Sequence, residues 1–385
     1  MTVHICHLLW SFRTGGLENG VVNLINQLDP AEFRHSIVCL TDYDPVFFSR
    51  INRENVQIYS LNKRPGHDLA SFWHCFKLLR QLKPDICHSR NLAAMEYQFP
   101  AMLARVPFRI HGEHGWDLTD LAGQNKKYRL LKRVFKSIIH HYVCLSEEGC
   151  NYLRKAVAVP SSRLTKICNG VDTGRFKPDA SQSNPLPEAL ATSNRVIFGA
   201  VGRIADVKNQ QLLVAAYIAQ CQQDASFKQH TALVIIGDGP TRPQLQQLLA
   251  SVGLHQQCWL PGDRSDVATI LPQLSVFVLP SLAEGISNTI LEAMACGLPV
   301  IASNVGGNAE LVEVAAASNM QTGWLFDSNN KSQLQQLLLQ CQQSPTTLQQ
   351  LGLNARAAAG QKFSLDIMVA AYRRLYLDGS KQQEG

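Results

Sequence analysis

The sequence lacks the patterns typical of disulfide-rich, zinc-binding, secreted and membrane-spanning proteins. It has eleven cysteines, but they are scattered, odd in number and never spaced as Cys-x-x-Cys. We therefore predict neither a disulfide framework nor a zinc site, and we expect a reduced, cytoplasmic environment. The start of the chain lacks the pattern of a signal peptide. A run of about 18 apolar residues, which a membrane-spanning helix requires, is also absent.

The chain also has few charged residues and only a modest net charge. Charged residues make up 17% of the 385 residues, and the net charge is only +6. Such a balance fits an anionic ligand or an anionic membrane surface, and it does not indicate a nucleic-acid partner. Apolar residues make up 45% of the chain, so a sizeable core is expected. A single core rarely exceeds about 250–300 residues, so the length predicts two domains.

Short apolar runs alternate with amphipathic stretches along both halves of the chain, which is typical of parallel sheets covered by helices. We predict strands at 4–10, 35–40, 85–89, 108–114 and 140–146, then at 195–203, 232–239, 257–262, 276–281 and 299–303. Predicted helices include 18–28, 70–82, 209–223 and 241–253. The fold class is therefore α/β, with two Rossmann-like, doubly wound parallel-sheet domains facing a cleft.

A segment rich in Pro, Ser, Asn and Asp separates the two series of strands. We interpret residues 179–194 as an inter-domain linker, which places the first domain at 1–178 and the second at 195–362. Ligands of open α/β sheets bind beyond the carboxyl ends of the strands, so the chemistry is expected in the loops that follow them.

The stretch from Pro280 to Ser303 carries two glutamates in apolar surroundings. A strand is expected to end near Ser281, and Ser287 is a suitable N-cap for a helix from Asn288 to Cys296. The helix N-terminus could hold a phosphate, with Glu284 and Glu292 to accept hydrogen bonds from vicinal sugar hydroxyls. The alternative is an ordinary capped helix with one surface glutamate.

A second candidate site follows the strand at 195–203. Gly199 and Gly202 end the strand, and Arg203 and Lys208 lie across a short turn before a helix. Two cations at a strand end can clamp a diphosphate, the arginine as a fork and the lysine as a point charge. The alternative is a pair of solvated surface cations.

Three further segments carry weaker signals. Paired glycines at Gly15–Gly16 and Gly306–Gly307 would let the backbone approach a ligand closely. The complete Gly-x-Gly-x-x-Gly pattern of dinucleotide sites is absent from the first of them. Between residues 109 and 117, strand alternation puts His111 and Glu113 on one face and His114 on the other, which disfavours a metal triad. A histidine that hydrogen-bonds a sugar is the preferred interpretation.

Residues 125–142 form a basic amphipathic pattern. Apolar residues recur at i, i+3 and i+4 among Lys126, Lys127, Arg129, Lys132, Arg133 and Lys136. The pattern predicts a helix that packs on its own sheet with a solvated basic face, or one that contacts anionic lipid or a lipid-diphosphate acceptor.

Together these segments resemble the retaining glycosyltransferases of family GT4, which have the two-domain GT-B fold. Glu284 and Glu292 within "EGISNTILEAMACGLPVIAS" carry most of the resemblance, supported by "GRIADVKN", "TGGLE", "ICNGVDTGRFKP" and "VIIGDGP". The segment "FSLDIMVAAYRRLY" resembles the closing helix, expected at 363–378 to pack back on the first domain. Within the family, the chain is most similar to sugar transferases of bacterial exopolysaccharide clusters.

The resemblance implies a role for each matching residue. Arg203 and Lys208 would bind the donor diphosphate, with backbone donors from Gly15 and Gly16, and Glu292 would bind the ribose. Other residues implied to contact the donor sugar are Glu284, Gly285, Ile286, Ser287, Gly306 and Gly307. His114 and Glu284 would be the catalytic pair, with His111 as a rival to His114.

The implied reaction moves a sugar from a nucleotide-diphosphate sugar to a glycan or polyprenyl-diphosphate-linked acceptor, with retention and without a metal or other cofactor. Cations and helix N-termini would stabilise the departing diphosphate. We expect a cytoplasmic protein, with 125–142 as a contact to the inner face of the membrane. Three alternatives stay open: a sugar-nucleotide epimerase, an NAD-dependent oxidoreductase and a non-catalytic sugar-nucleotide sensor. The donor base, the sugar and the acceptor are not specified by these motifs.

Overall fold

A computed structural model describes residues 2–66, 68–115, 120, 123–178, 184–191, 195–313 and 320–381 of the chain. The chain divides into two compact units, one formed by Met1–Gly170 with Leu365–Gly385 and the other by Val171–Ser364. Each unit contains one sheet in which all strand pairs are parallel, with seven strands in the first and six in the second. The predicted α/β class with two doubly wound sheets is confirmed.

The first unit alternates strands and helices, and its last helix comes from the far end of the chain. Its strands are β1 (Val3–Leu9), β2 (Phe33–Cys39), β3 (Gln57–Ser60), β4 (Ile86–Arg90), β5 (Phe108–Glu113), β6 (His141–Cys144) and β7 (Leu164–Lys166). Its helices are α1 (Gly16–Gln27), α2 (Pro45–Phe48), α3 (Leu69–Leu82), α4 (Asn91–Met95), α5 (Gln98–Leu103), α6 (Lys126–Phe135) and α7 (Glu147–Tyr152). The strand order is β3-β2-β1-β4-β5-β6-β7.

The second unit repeats this architecture. Its strands are β8 (Val196–Val201), β9 (Thr231–Ile236), β10 (Cys258–Gly262), β11 (Val276–Leu279), β12 (Val300–Ser303) and β13 (Gly323–Phe326). Its helices are α8 (Gln210–Gln223), α9 (Ala225–His230), α10 (Arg242–Ser251), α11 (Val267–Ile270), α12 (Asn288–Ala295), α13 (Asn308–Leu311), α14 (Lys331–Gln343) and α15 (Pro345–Lys362). The strand order is β10-β9-β8-β11-β12-β13.

All ten predicted strands are present, and the three strands that sequence analysis missed are edge strands. β3, β7 and β13 each lie at the end of a sheet and contain only three or four residues. Most of their residues are partly exposed, so they lack the continuous apolar run of a strand buried on both faces. Their short length and partial exposure therefore explain why the apolar pattern did not reveal them, whereas β10, the fourth edge strand, has five residues and was predicted.

The final helix, α16 (Leu365–Lys381), belongs to the first unit. Met368, Tyr372 and Tyr376 on its inner face are buried against residues of β1, β4 and β5, such as Ile5, Ile86 and Ile110. The Tyr376 hydroxyl also lies 2.9 Å from Nδ1 of His88 in β4. The first sheet is thus covered in part by a helix that the chain reaches only after completing the second unit.

The division between the units differs from the boundary expected at residue 178. Residues 171–178 lie in the second unit, where Val171 forms a parallel bridge with Ser364. Arg356 holds the same segment, because its guanidinium donates to the carbonyl oxygens of Thr173 and Phe176 at 3.0 and 2.9 Å. Of the expected linker 179–194, residues 179–183 and 192–194 lie outside the described part of the chain.

One disulfide is present where sequence analysis predicted none. Cys144, at the end of β6, is joined to Cys150 in α7 with their Cα atoms 5.6 Å apart. The other nine cysteines lie outside this disulfide. The spacing of six residues across a strand-to-helix turn does not match any of the short cysteine motifs, so the sequence carried no signal for this pair.

The interior of the first unit holds several histidines that the fold keeps neutral. His4, His7, His35 and His88 are at most 5% exposed. Burial lowers the pKa of His35 to about 3 and that of His4 to about 4. Burial, with the nearby charge of Arg90, holds the pKa of His7 and His88 well below the ordinary value. In the unfolded chain the same rings take up a proton near pH 6.5.

This difference predicts that the protein is destabilised by mild acid. Because the unfolded state binds more protons below about pH 6.5, each such histidine lowers the free energy of unfolding by up to about 1.4 kcal/mol per pH unit there. The thermal unfolding midpoint should therefore fall steeply between pH 7 and pH 5. A His35→Asn variant, whose amide can still hydrogen-bond His7, should show a shallower fall than a variant at the exposed His255. Equal slopes in both variants would contradict the prediction.

Candidate functional site

The predicted donor-site residues of the second unit lie at the point where its strand order reverses. From β8 the chain adds β9 and β10 on one side of the sheet and then crosses to β11 on the other, so β8 and β11 are neighbours. Such a reversal opens a crevice at the carboxyl ends of the two strands, where α/β proteins bind ligands. Arg203 and Lys208 follow β8, and Glu284 follows β11.

Lys208 and Glu284 meet across this crevice. The Lys208 Nζ atom donates to Glu284 Oε1 at 2.6 Å, and the Ser281 hydroxyl donates to the same oxygen at 2.6 Å. The Glu284 side chain is 9% exposed, whereas that of Lys208 is 27% exposed. The carboxylate is therefore held from within, while the Lys208 side chain is partly exposed. Arg203 is exposed at the same edge, and its carbonyl accepts a bond from Gln210 at 3.0 Å.

A chain of buried polar residues supports Glu284 from behind. The Ser303 hydroxyl, at the end of β12, donates to the Ser281 carbonyl at 2.5 Å, and Asn308 Nδ2 donates to the Ser303 carbonyl at 3.0 Å. Ser281, Ser303 and Asn308 are fully buried. Sequence analysis did not identify these three as site residues. Ser281 and Ser303 showed only as polar residues at the ends of apolar runs, and Asn308 only as the residue after the Gly306–Gly307 pair.

The two glycines of the 306–307 loop are required by close packing on the 284–286 loop. Gly306 has φ +54°, and a Cβ atom there would lie 1.9 Å from the Glu284 carbonyl oxygen. At Gly307, a Cβ would lie 2.5 Å from the Gly285 carbonyl oxygen, to which the Gly307 N–H donates at 2.8 Å. The Gly306–Gly307 pair therefore joins the two loops.

Helix α12 begins and ends as its sequence predicts. Ser287 is the N-cap, and its hydroxyl accepts from the Ile290 N–H at 3.4 Å. Gly297 follows with φ +79°, the left-handed conformation that favours glycine after a helix. Ile286 and Ser287 are buried, whereas Glu292 is half-buried one turn into the helix. The helix N-terminus thus lies beside Glu284, with Glu292 on the following turn.

In the first unit, a carboxylate covers the predicted phosphate-binding glycines. Gly15 and Gly16 follow β1, and α1 begins at Gly16. A Cβ built on Gly15 would lie 2.2 Å from a carboxylate oxygen of Glu18, so this side chain folds over the loop. Burial raises the pKa of Glu18. A phosphate bound at Gly15 would have to displace this carboxylate or meet its protonated form. Sequence analysis did not identify Glu18.

The structure separates the two candidate histidines, as strand alternation predicted. His111 is fully buried, with Nδ1 2.8 Å from the Ser89 hydroxyl and Nε2 3.4 Å from Glu113 Oε1. His114 lies on the opposite side, where a Cβ atom built on Gly112 would be 2.7 Å from its Nε2 atom, and its backbone N–H donates to Asn91 Oδ1 at 2.9 Å. Burial and the neighbouring Arg90 lower the pKa of His114 to about 3, so its ring is neutral. Within the described ranges, no group of His, Cys, Asp and Glu could hold a metal ion.

Arg90 is a buried cation that sequence analysis missed. It is 3% exposed at the end of β4, and its guanidinium lies 3.0 Å from His7 Nδ1 and 3.2 Å from His88 Nδ1. A guanidinium only donates, so both Nδ1 atoms accept and both rings carry their proton on Nε2. The arginine thereby sets the tautomers of the histidines beside His114.

Residues 42–44 also have the Asp-x-Asp spacing of metal-binding motifs, although the resemblance implied a reaction without a metal. In the structure, Asp42 accepts two bonds from the Arg13 guanidinium, at 3.0 and 2.6 Å. Asp44 instead caps α2, because its carboxylate accepts from the Val46 N–H at 2.9 Å. Both carboxylates thus have structural partners.

The basic segment at 125–142 is shorter and less solvated than the sequence predicted. Helix α6 ends at Phe135, and β6 begins at His141. Lys132 is buried, with Nζ 2.8 Å from Glu113 Oε1, while Arg133 and Lys136 donate to the carbonyls of Ala156 and Ala158 at 2.9 and 3.0 Å. The remaining exposed face of α6 contains Lys126, Lys127, Leu130 and Val134.

Among the described residues, none of the helices has both the length and the apolar character that crossing a membrane requires.

Sequence profiles of two related families match the two halves of the chain. The profile described as Glycosyltransferase Family 4 matches residues 14–175, and the one described as Glycosyl transferases group 1 matches residues 195–344. Together they cover most of both units.

Individual proteins also match the chain, over 271 to 342 residues for the two relatives described next. The Escherichia coli UDP-Gal:alpha-D-GlcNAc-diphosphoundecaprenol alpha-1,3-galactosyltransferase is 29% identical over 342 residues, or 85% of each chain. The amylovoran biosynthesis glycosyltransferase AmsK of Erwinia amylovora is 27% identical over 271 residues, which cover 68% of this chain and 58% of AmsK.

A solved structure shares the architecture of the whole chain. The crystal structure of Anabaena HepE in complex with UDP superposes with a TM-score of 0.80 at 19% identity, covering 98% of this chain and 100% of HepE. The matching profiles, the relatives and the common architecture show that this chain belongs to the family 4 glycosyltransferases, which have the two-domain GT-B fold.

Proposed function

We propose that the chain transfers a hexosyl group from a UDP-sugar to a saccharide or lipid-linked acceptor in cell-surface or exopolysaccharide synthesis. The observation that carries the proposal is the contact between Lys208 and Glu284 at the strand reversal of the second unit. Uridine as the base is supported by the E. coli relative, named for UDP-Gal, and by HepE, crystallised with UDP. A polysaccharide pathway is supported by the name of AmsK.

In this proposal the second unit binds the donor. Lys208 and the exposed Arg203 neutralise the diphosphate, and Glu292 accepts hydrogen bonds from the ribose hydroxyls. Glu284 accepts from hydroxyls of the donor sugar, because its carboxylate is held in place by Lys208 and Ser281. Gly285, Ile286, Ser287 and the Gly306–Gly307 loop contribute backbone contacts to the sugar.

The charges of the site fit departure of a nucleotide diphosphate. As the glycosidic bond breaks, negative charge builds on the diphosphate, and a preorganised cation stabilises this charge without rearrangement. The Lys208 side chain is partly exposed and uses one ammonium proton to bond Glu284, which leaves two protons for a phosphate oxygen. We infer metal-independent transfer with retention, in which the departing phosphate accepts the proton of the acceptor hydroxyl.

We infer that His114 is the residue of the first unit that contacts the transferring sugar. Because its pKa is lowered to about 3 by burial and Arg90, the ring is a neutral hydrogen-bonding group at physiological pH. We infer that it bonds a hydroxyl of the transferring sugar, and that His111 has a structural role, since Ser89 and Glu113 already contact both of its nitrogens.

Removing the Lys208 charge should weaken donor binding. Hydrogen bonds to charged groups contribute about 1.5–3 kcal/mol, so Lys208→Met should weaken UDP binding by about 10- to 100-fold. Lys208→Arg retains the charge and should lose less of the UDP affinity. Lys331→Met, at an exposed site of the same unit, is the matched control. Isothermal titration with UDP measures the effect, and wild-type affinity in Lys208→Met would remove Lys208 from the site.

The product should keep the anomeric configuration of the donor, and a metal chelator should leave turnover unchanged. Both follow from a cationic site that stabilises the leaving group and from front-face attack by the acceptor. NMR spectroscopy of the product formed from a UDP-sugar determines the configuration, and parallel assays with and without EDTA determine the metal requirement. An inverted product, or loss of activity that added Mg²⁺ restores, would contradict the mechanism.

A lipid-linked acceptor requires access to the membrane surface, and the exposed face of α6 is suited to it. Lys126 and Lys127 would attract anionic headgroups, while Leu130 and Val134, 64% and 60% exposed, would enter the interface. We infer a cytoplasmic protein that contacts the inner face of the membrane through this helix.

Vesicle sedimentation should detect this contact. Wild-type protein should sediment with vesicles of phosphatidylglycerol and phosphatidylcholine more than with phosphatidylcholine alone, and salt should reduce the difference. Because each lysine near an anionic surface contributes about 1 kcal/mol, K126E/K127E should lower the affinity at least tenfold. The matched control is Lys331→Glu in the second unit. Equal sedimentation of the two variants would show that α6 is not the contact.

A further inference from the structure

The second unit contains a cavity of about 580 Å³ that none of the roles above explains. We call it the α15 cavity, because Pro345, Leu348 and Gln349 at the start of α15 form part of its wall. Pockets that bind small molecules have volumes of about 300–1,000 Å³, so the α15 cavity is large enough for a small-molecule ligand.

The α15 cavity lies at the edge of the second sheet opposite to the Lys208–Glu284 contact. Val196 begins β8, Ser275 directly precedes β11 and Pro299 directly precedes β12, and all three line the cavity. Lys208 and Glu284 instead follow the carboxyl ends of β8 and β11. A strand rises about 3.3 Å per residue, so the length of β8 puts about 15–20 Å between the two places. A ligand in the α15 cavity would therefore leave the diphosphate site open.

The inner wall of the cavity is apolar. Leu274, Leu298 and Leu348 line it and are buried, and Pro299 beside Leu298 is buried as well. Removing apolar surface from water stabilises a complex, so this wall favours a ligand that has an apolar body.

The cavity wall also contains a cation, Arg195. Its Nη1 atom donates to the Ala189 carbonyl at 2.6 Å, and its Nε atom donates to the Gln229 carbonyl at 3.3 Å. These two bonds position the guanidinium, but both partners are neutral and do not balance its charge. Because a guanidinium has five N–H groups, it can make these bonds and still donate to an anion.

The rest of the wall adds no negative charge. Among the described residues that line the cavity, none is Asp or Glu. The thiol of Cys296 stays neutral, because burial and the neighbouring Glu292 raise its pKa to about 12. The N-terminus of α15 contributes a partial positive charge to the same wall. The α15 cavity therefore combines an apolar wall with positive charge.

An anionic group attached to an apolar body matches both features. We propose that the α15 cavity binds a small amphipathic anion, whose sulfonate, phosphate or carboxylate group pairs with Arg195 while its apolar body packs on Leu274, Leu298 and Leu348. This gives the second unit a further ligand site, at the amino ends of strands whose carboxyl ends precede the proposed donor residues. Its occupation does not depend on the proposed transfer reaction.

Gln349 offers a way to fill the cavity from its rim. It is exposed on α15 and lines the cavity, so Gln349→Trp should occupy part of the space. Gln350→Trp is the matched control, because Gln350 is the next residue of the same helix, is exposed, and lies outside the cavity wall. Its side chain donates to Asn354 Oδ1 at 3.1 Å. The two variants thus add the same ring to the same turn, and only one adds it to the cavity.

The test is fluorescence titration of the full chain with anilinonaphthalene sulfonate, an aromatic anion, and with phenylnaphthylamine, which has the same rings without the charge. Wild-type protein and Gln350→Trp should bind the sulfonate equally, and Gln349→Trp should bind it about tenfold more weakly or worse. Saturating UDP should not displace the sulfonate, and Lys208→Met should bind it as wild type does. Equal thermal unfolding midpoints of the variants show that they are folded.

A second pair of variants tests the charge argument. Arg195→Gln removes the positive charge, whereas Arg195→Lys retains it. The ratio of the affinity for the sulfonate to that for the uncharged amine should fall about tenfold in Arg195→Gln, and it should change much less in Arg195→Lys. An unchanged ratio in Arg195→Gln would overturn the assignment of Arg195 as the partner of the anion.

The site assignment and the proposed function can fail separately. If Gln349→Trp binds the sulfonate as Gln350→Trp does, if UDP displaces it, or if wild type does not bind it, the α15 cavity is not a site for amphipathic anions, whatever the transferase assay shows. If the sulfonate binds as expected but no UDP-sugar is ever consumed, the α15 cavity remains a ligand site and the proposed transfer is wrong.

Discussion

The contact between Lys208 and Glu284 is the interaction on which the second unit's site depends. It joins segments that follow two different strands, β8 and β11, across the point where the sheet reverses its order. A buried carboxylate is costly unless it is paired and hydrogen-bonded, and Lys208 and Ser281 meet both requirements. The Glu284 carbonyl lies so close to Gly306 that no side chain fits there. The position of Glu284 therefore constrains the neighbouring loop as well.

The two units use the same architectural position for opposite electrostatics. In the second unit, Arg203 and Lys208 bring positive charge to the strand reversal, beside the N-terminus of α12, which suits a diphosphate. In the first unit, the glycine loop after β1 at the reversal is instead covered by the carboxylate of Glu18. One fold can thus present different charges at equivalent positions, because the difference lies in the loops after the strands and not in the sheets.

The polar interior of the first unit depends on one buried cation. Arg90 is buried among histidines, and because a guanidinium can only donate, it fixes the tautomers of His7 and His88. The same charge, together with burial, keeps His114 neutral. The hydroxyl of Tyr376 reaches His88 from α16, so the final helix of the chain contributes to this network as well as to the apolar core.

Local sequence patterns determined the α/β class, ten of the thirteen strands, the start of α12 at its Ser287 cap and the placement of His111 and His114 on opposite faces. Each of these depends on neighbours within about one turn or one strand, where periodicity and capping operate. Tertiary structure alone decided which distant residues meet. Lys208 and Glu284 are 76 residues apart, and Lys132 was predicted on a solvated face but is buried against Glu113. Such pairs are set by the crossovers and the strand order, which leave no local periodicity, so only the folded sheets reveal them.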